Sequence, residues 1–184
     1  LHLCDRRQRQ MCIRDSCCIA LTQPIFEWFS SPIIYKQTDF VKKFKPILRQ
    51  YFSSKSGLWH YLHMAEGNYG EYLQSDMVKA KKYFYVLRPI LACHWILEKQ
   101  APPPMRFSEL VESQLDSSIK AEVAELLELK MNAPEVKMIP RVDKINQYLE
   151  DSIREVRETT KQMLTKEIHS WDELDALFLS KLGK

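Results

Sequence analysis

The stretch KKYFYVLRPILACHWI, residues 81–96, decides the fold class of this chain. Its large apolar side chains recur every three or four residues, the spacing that places them on one face of an α-helix. With the flanking residues, the pattern predicts a helix over residues 76–100. A bend is expected at Pro89, because proline lacks the amide hydrogen that a helix interior uses. The predicted buried face comprises Ala80, Phe84, Leu87, Leu91 and Trp95.

Helical periodicity continues along the rest of the chain. Further helices are predicted over residues 22–29, 38–52, 57–74, 108–115, 116–130, 140–164 and 170–182. No strand pattern is strong enough to predict a sheet. The expected fold is therefore all-α, an irregular bundle of about six to eight helices.

Composition narrows the classes of function. Of 184 residues, 45% are hydrophobic and 28% are charged, which is typical of a globular domain. The apolar runs are far shorter than the ~20 residues that cross a bilayer, so we expect no membrane partner and a cytoplasmic protein. None of the 4 glycines lies in a P-loop or a G-x-G-x-x-G motif. The 5 cysteines form no C-x-x-C pair, which predicts free thiols and no zinc site.

The first sixteen residues, LHLCDRRQRQMCIRDS, differ from the rest. They carry several arginines and no apolar period, and they resemble the conceptual translation of sequencing-adapter DNA. We therefore expect two parts, an adapter-like or disordered segment over residues 1–16 and a helical portion over residues 17–184. A basic arm that binds RNA is the alternative, and it predicts steeply salt-dependent binding that is lost on deletion of the arm.

The densest mixture of cations and aromatic rings lies at the start of the predicted helix 76–100. Lys81, Tyr85 and Arg88 fall on one helical stripe, and Lys82 lies about a quarter turn away. Ammonium and guanidinium groups suit phosphate oxygens, and a tyrosine ring can stack on a base or donate its hydroxyl. These four residues are the predicted triphosphate- or acceptor-binding site. The plainer alternative is a solvated cationic face over a packed core.

Histidines provide weaker candidates for chemistry. His60, His63 and Glu66 lie on the predicted helix 57–74, and His63 could pair with Glu66 one turn away. A metal ion would need a further ligand that the sequence does not place, so we predict no metal site. His94 is expected to be a partly buried core histidine.

Two other polar features are assigned no catalytic role. Asn68 lies between Gly67 and Gly70, which favours close helix packing over contact with a ligand. Glu173 and Asp175 stand two residues apart on a predicted helix, where their side chains diverge by about 200°. They therefore cannot converge on two metal ions, and no catalytic residue is predicted in the chain.

Several stretches together resemble one known family. They are IFEWFSSPIIY (25–35), HYLHMAEGNYGEYL (60–73), KKYFYVLRPILACHWI (81–96), PPPMRFSELV (102–111) and SWDELDALFL (170–179). The resemblance is to nucleotidyltransferases of the DNA polymerase beta superfamily assigned to RNA repair. It implies transfer of a nucleoside monophosphate from an NTP to an acceptor such as an RNA end, with two Mg²⁺ ions.

The family's catalytic motifs are a Gly-Ser pair followed by Asp-x-Asp, and the chain contains neither. The resemblance therefore implies a fragment, the C-terminal helical half of an α/β nucleotidyltransferase whose N-terminal catalytic half is missing. Mg²⁺, NTP and RNA are expected of the full-length parent, and this chain alone is expected to bind no cofactor and to be inactive.

A non-catalytic all-helical interaction module, with residues 140–164 docking a partner helix, is the alternative function. Exposed apolar surface distinguishes the two readings. A fragment should leave a specific set of side chains uncovered, namely Ile25, Phe26, Trp28, Phe29 and Ile33.

Overall fold

The computed structural model describes residues 23–34, 38–132, 138–164, 170 and 172–180, so the adapter-like segment 1–16 lies outside the described residues. The described residues form helices almost throughout, which confirms the all-α class. In chain order the elements are α1 Gln23–Phe29, α2 Asp39–Gln50, α3 Ser54–Tyr72, β1 Met77–Lys79, α4 Ala80–Lys99, α5 Phe107–Gln114, a 3-10 turn Ser117–Ile119, α6 Lys120–Asn132, β2 Met138–Pro140, α7 Asp143–Gln162 and α8 Asp172–Leu179. No helix of this described part is both long and apolar enough to span a bilayer.

The chain divides into two compact units. The larger unit is Ser53–Lys166, and the smaller unit combines Leu1–Phe52 with Glu167–Lys184. The larger unit contains α3 to α7 with both strands. The smaller unit contains α1, α2 and α8.

Helix α4 is the centre of the larger unit and packs against α3, α5, α6, α7 and β1. Its sequence is apolar on nearly all sides, so it is buried on more than the single face predicted from periodicity. The buried residues of α4 are Ala80, Tyr83, Phe84, Val86, Leu87, Pro89, Ile90, Leu91, Ala92, Cys93 and Ile96. Trp95, which was predicted to line the buried face, is only half-buried.

The two short strands were not predicted. β1 and β2 pair antiparallel, with Val78 opposite Ile139 and both side chains buried. Each strand has three residues, too few to show an alternating pattern, and the strands lie some sixty residues apart in the chain. The prediction of no sheet was therefore wrong for this ribbon, and α4 begins at Ala80 instead of Asp76.

Aromatic rings hold the smaller unit together. The ring of Phe26 on α1 meets the ring of Phe52 edge-on, with centroids 5.2 Å apart. The ring of Phe44 on α2 lies 5.4 Å from that of Phe29 and stacks on Phe40. The Tyr51 hydroxyl donates a hydrogen bond of 2.7 Å to the carbonyl of Ser170, just before α8.

The prediction of uncovered apolar side chains holds only for some of the five residues, which are Ile25, Phe26, Trp28, Phe29 and Ile33. Trp28 is 73% exposed and Ile33 is 65% exposed. Ile25 and Phe29 are half-buried, and the expectation was wrong for Phe26, which is buried against Phe52.

A buried polar network fixes the beginning of α4 against α7. The Tyr83 hydroxyl donates to Oδ1 of Asn146 at 2.8 Å and accepts the Val142 amide at 2.8 Å. Nδ2 of Asn146 donates to the carbonyl of Leu73 at 3.0 Å. Burial raises the pKa of Tyr83, which keeps its hydroxyl a neutral donor. Three separate segments are therefore joined within one largely buried cluster.

We expect Tyr83→Phe to lower the free energy of unfolding by about 1–3 kcal/mol, because it leaves the buried Asn146 Oδ1 without its donor and the half-buried Val142 amide without its acceptor. Urea denaturation followed by circular dichroism measures the effect. Tyr85→Phe is the matched control, since the Tyr85 side chain is 41% exposed and its change should stay within about 0.5 kcal/mol. Equal stability of the two variants would contradict the role assigned to the network.

Candidate nucleotide-binding site

The first half of α4 presents a narrow strip of side chains that are not buried. Between Ala80 and Ile90, every residue is buried except four. These four are the predicted site residues Lys81, Lys82, Tyr85 and Arg88, of which Tyr85 is exposed and the others are half-buried. Burial of the remainder of the helix therefore directs the cations and this tyrosine away from the core.

Lys82 lies between two aromatic rings. Its Nζ is 3.3 Å from the centroid of the Tyr72 ring and 4.9 Å from that of Tyr85. Both distances are within the roughly 6 Å reach of a cation–π interaction, which contributes about 0.5–2 kcal/mol. The structure thus brings Lys82 and Tyr85 together and adds Tyr72, the last residue of α3, which the sequence did not predict.

No local signal in the sequence identifies Tyr72. It precedes Lys82 by ten residues and lies on a different helix, so helical spacing does not relate the two. Their contact depends on how α3 and α4 pack, which is a tertiary property. Lys81 and Arg88 remain on the stripe that the spacing predicted.

The charge at the beginning of α4 opposes the helix dipole. The N-terminal end of a helix carries partial positive charge, so carboxylates stabilise it and cations destabilise it. Lys79 is the N-cap of α4, Lys81 and Lys82 follow in the first turn, and this turn contains no acidic residue. A bound anion would relieve the repulsion that this arrangement creates.

A further cation lies beside the same helix. Nζ of Lys130 on α6 is 5.1 Å from the centroid of the Phe84 ring. The Phe84 ring also meets the ring of Phe107 edge-on, at 5.6 Å between centroids. The side of α4 next to the candidate site is therefore packed with aromatic rings and is not loosely solvated.

Comparison with known proteins agrees with the sequence resemblance. The model of the family described as the RNA repair pathway DNA polymerase beta family matches residues 22–180. The chain belongs to this family. This is the family that the sequence resembled.

One relative from this comparison is a Bacillus subtilis (strain 168) protein named "Uncharacterized protein YcgL". It is 37% identical over 159 residues, which cover 85% of this chain and 61% of the relative. This member of the RNA-repair family therefore spans about three-fifths of the length of the curated relative. No solved structure matches the chain.

On α3, His63 does not pair with Glu66 as predicted. Glu66 accepts hydrogen bonds from Nε and Nη2 of Arg157, at 3.0 and 2.7 Å, instead of pairing with His63. The His63 ring packs beside that of Trp59, and the His60 ring meets Tyr61 edge-on. Across the described ranges, no group of three His, Cys, Asp or Glu side chains is placed to hold a metal ion.

The remaining polar candidates also have structural roles. Nδ2 of Asn68 donates to the carbonyl of Met64 at 2.7 Å, one turn earlier on α3. The predicted close packing at Gly67 and Gly70 was wrong, because a Cβ at either position would meet nothing within 4 Å. Glu173 and Asp175 lie on α8, so their assignment to a helix is confirmed.

His94 lines a cleft of about 650 Å³ in the larger unit. Its ring is half-buried and meets the ring of Tyr148 edge-on, at 6.4 Å between centroids, which confirms a partly buried core histidine. Burial lowers the pKa of His94 below its ordinary value of 6.5, and the nearby charges of Glu155 and Asp116 oppose this shift. The folded protein therefore favours the neutral imidazole.

Stability should fall as the pH drops through the range below 6.5. The unfolded chain takes up a proton at His94 first, so the free energy of unfolding decreases between pH 6.5 and the lower folded-state pKa, by at most about 1.4 kcal/mol per pH unit. Denaturation at several pH values should show a flatter profile for His94→Gln. An unchanged slope in His94→Gln would refute this assignment.

Proposed function

We propose that this chain is part of a longer nucleotidyltransferase that transfers a nucleoside monophosphate from an NTP to an acceptor, and that the acceptor is an RNA end. Family membership supports the reaction class, and the 61% coverage of the relative supports the view that a larger protein carries it out. The observation that carries the proposal is the lysine of α4 held between two tyrosine rings, at a helix end that favours anions.

The cationic strip is the proposed contact for phosphate. Lys81 and Lys82 would supply ammonium charges to phosphate oxygens, and the planar guanidinium of Arg88 would supply a paired set of donors. The rings of Tyr72 and Tyr85 restrain Lys82, so less side-chain entropy is lost when phosphate binds than for a freely moving lysine. The exposed ring of Tyr85 is the proposed surface for stacking a base.

Mg²⁺ is expected of the longer protein, since the family generally uses metal ions with NTP. The described residues contain no cluster suited to hold a metal ion, so we assign no metal ligand to this chain and derive no step through the metal. The Gly-Ser and Asp-x-Asp motifs are proposed to lie in the part of the longer protein that this chain does not cover. The residues of this chain are then proposed to bind and orient the nucleotide or acceptor.

A full-length chimera provides the test. Residues 22–180 of this chain replace the aligned stretch of the Bacillus subtilis relative, and transfer from a labelled NTP to an RNA oligonucleotide is measured with Mg²⁺. Lys82→Ala and Arg88→Ala should each raise KM for NTP or lower kcat by about tenfold or more, because a hydrogen bond to a charged group is lost.

The control for these variants is Lys120→Ala, which removes an exposed lysine on α6 and should leave kinetics unchanged. Circular dichroism verifies that all variants are folded. Full activity of both Lys82→Ala and Arg88→Ala would show that the site assignment is wrong. A folded chimera without nucleotidyl transfer would contradict the proposed reaction.

Stacking on Tyr85 is tested by a pair of substitutions in the same chimera. Tyr85→Leu removes the ring and should raise Kd for a single-stranded RNA end by about 5- to 150-fold, equivalent to the loss of one stacked base. Tyr85→Phe keeps the ring and should bind like wild type. Fluorescence anisotropy of a labelled oligonucleotide measures both. If Tyr85→Leu also binds like wild type, the ring does not contact a base.

A further inference from the structure

The cleft beside His94 lies entirely within the larger unit and is lined by several of its elements. His94 comes from α4, Asp116 and Ser118 come from the 3-10 turn and its N-cap, and residues between Asp143 and Glu155 come from one face of α7. The rise from Asp143 to Glu155 is about 18 Å, so the cleft follows α7 for about three turns. Its volume of about 650 Å³ is typical of sites for small molecules.

The lining of this cleft is negatively charged. The single lysine of the lining, Lys144, already pairs with Glu122. Four carboxylates line the cleft, and two of them, Asp143 and Asp151, pair with arginines outside it. The other two, Asp116 and Glu155, form no ion pair with any residue that the structure describes. Asp116 and Glu155 therefore keep negative charge that no neighbouring cation neutralises.

The charges of Asp116 and Glu155 act on both aromatic rings of the cleft. Burial lowers the pKa of His94, and these two carboxylates oppose that shift. Burial raises the pKa of Tyr148, and the same two carboxylates raise it further. The rings of His94 and Tyr148 meet edge-on, with centroids 6.4 Å apart. Two carboxylates and two rings therefore lie close together, a combination that binds an ammonium group through charge and through the face of a ring.

The hydroxyl of Tyr148 is an unused polar group beside this cleft. Its oxygen is buried and has no hydrogen-bond partner among the residues that the structure describes. The Ser152 side chain is near enough to lower the pKa of Tyr148, but it does not reach hydrogen-bond geometry. Most buried polar groups in proteins are paired, so a buried and unpaired hydroxyl beside a cleft indicates a ligand that donates to it.

We propose that this cleft binds an elongated organic cation that carries at least two ammonium groups. Asp116 and Glu155 hold one ammonium group beside the two rings, and this group donates a hydrogen bond to the Tyr148 hydroxyl. A second ammonium group lies near Asp151, about 6 Å along α7 from Glu155. A metal ion fits the cleft less well, since no group of three His, Cys, Asp or Glu side chains in the described ranges is placed to hold one. The proposal is independent of the proposed nucleotidyl transfer.

Isothermal titration calorimetry of the 184-residue chain with spermidine, at constant ionic strength, tests the proposal. Spermidine should bind at one site per chain. Asp116→Asn and Glu155→Gln should each raise its Kd about fivefold, the effect of one exposed ion pair, and the double variant should raise it about 25-fold. Asp116→Asn keeps an oxygen that can accept the Ser118 amide, so the turn is preserved. The matched control is Glu125→Gln, which removes an exposed carboxylate of α6 outside the cleft and should leave Kd unchanged.

Tyr148→Phe tests the role of the unpaired hydroxyl. This variant should raise Kd for spermidine about threefold, because one hydrogen bond to the ligand is lost. Its urea midpoint should match that of the wild type, since the free protein makes no hydrogen bond to this hydroxyl, whereas a purely structural role would lower the midpoint. In NMR spectra, spermidine should shift the ring signals of His94 and Tyr148 and leave those of Tyr85, outside the cleft, in place.

A trilysine peptide distinguishes two sources of the ammonium groups, and either source supports the proposal. Tighter binding of spermidine would assign the cleft to a small polyamine, and tighter binding of trilysine would assign it to lysine side chains of a polypeptide.

Several results would overturn the proposal. Absence of binding by both probes would show that the cleft takes no organic cation. An equal rise of Kd in Glu125→Gln and Glu155→Gln would show diffuse attraction by the whole surface. Binding of Mg²⁺ as tight as that of spermidine would show a region that attracts counterions without selecting an ammonium group.

Discussion

The burial of α4 on nearly all sides is the constraint on which the larger unit depends. A helix enclosed by α3, α5, α6, α7 and β1 must place apolar side chains around most of its circumference. Charged groups can then remain only along the strip where side chains are not fully buried. In the first half of α4, this strip consists of Lys81, Lys82, Tyr85 and Arg88. The core thus determines where the cations lie.

The position of these cations is electrostatically unfavourable, and packing alone does not explain why cations occupy it. Cations in the first turn of a helix oppose the helix dipole, each by several tenths of a kcal/mol, and a sequence selected for stability alone would favour Asp or Glu there. The Tyr72 and Tyr85 rings partly offset the repulsion by interacting with Lys82. A local conflict that persists in an otherwise consistent fold is typical of a binding site.

The sequence predicted the helices and the members of the cationic strip, since both depend on spacing within one segment. Residues 81, 85 and 88 share a stripe whatever surrounds the helix. It did not predict the pairing of Val78 with Ile139, the contact of Tyr72 with Lys82, or the bonds of Asn146 to Tyr83 and Leu73. These contacts join residues on different elements, and no pattern within one element encodes them.

The network around Asn146 connects the core to the cationic strip. Tyr83 follows Lys82 directly, and its hydroxyl is bonded to Asn146 and to the Val142 amide. Asn146 also holds the carbonyl of Leu73, which follows Tyr72 directly. One buried side chain therefore fixes the neighbours of both partners in the lysine–tyrosine contact. Because these bonds are neutral and largely buried, salt screens them far less than the exposed charges, so the geometry of the strip should persist at salt concentrations that screen its cations.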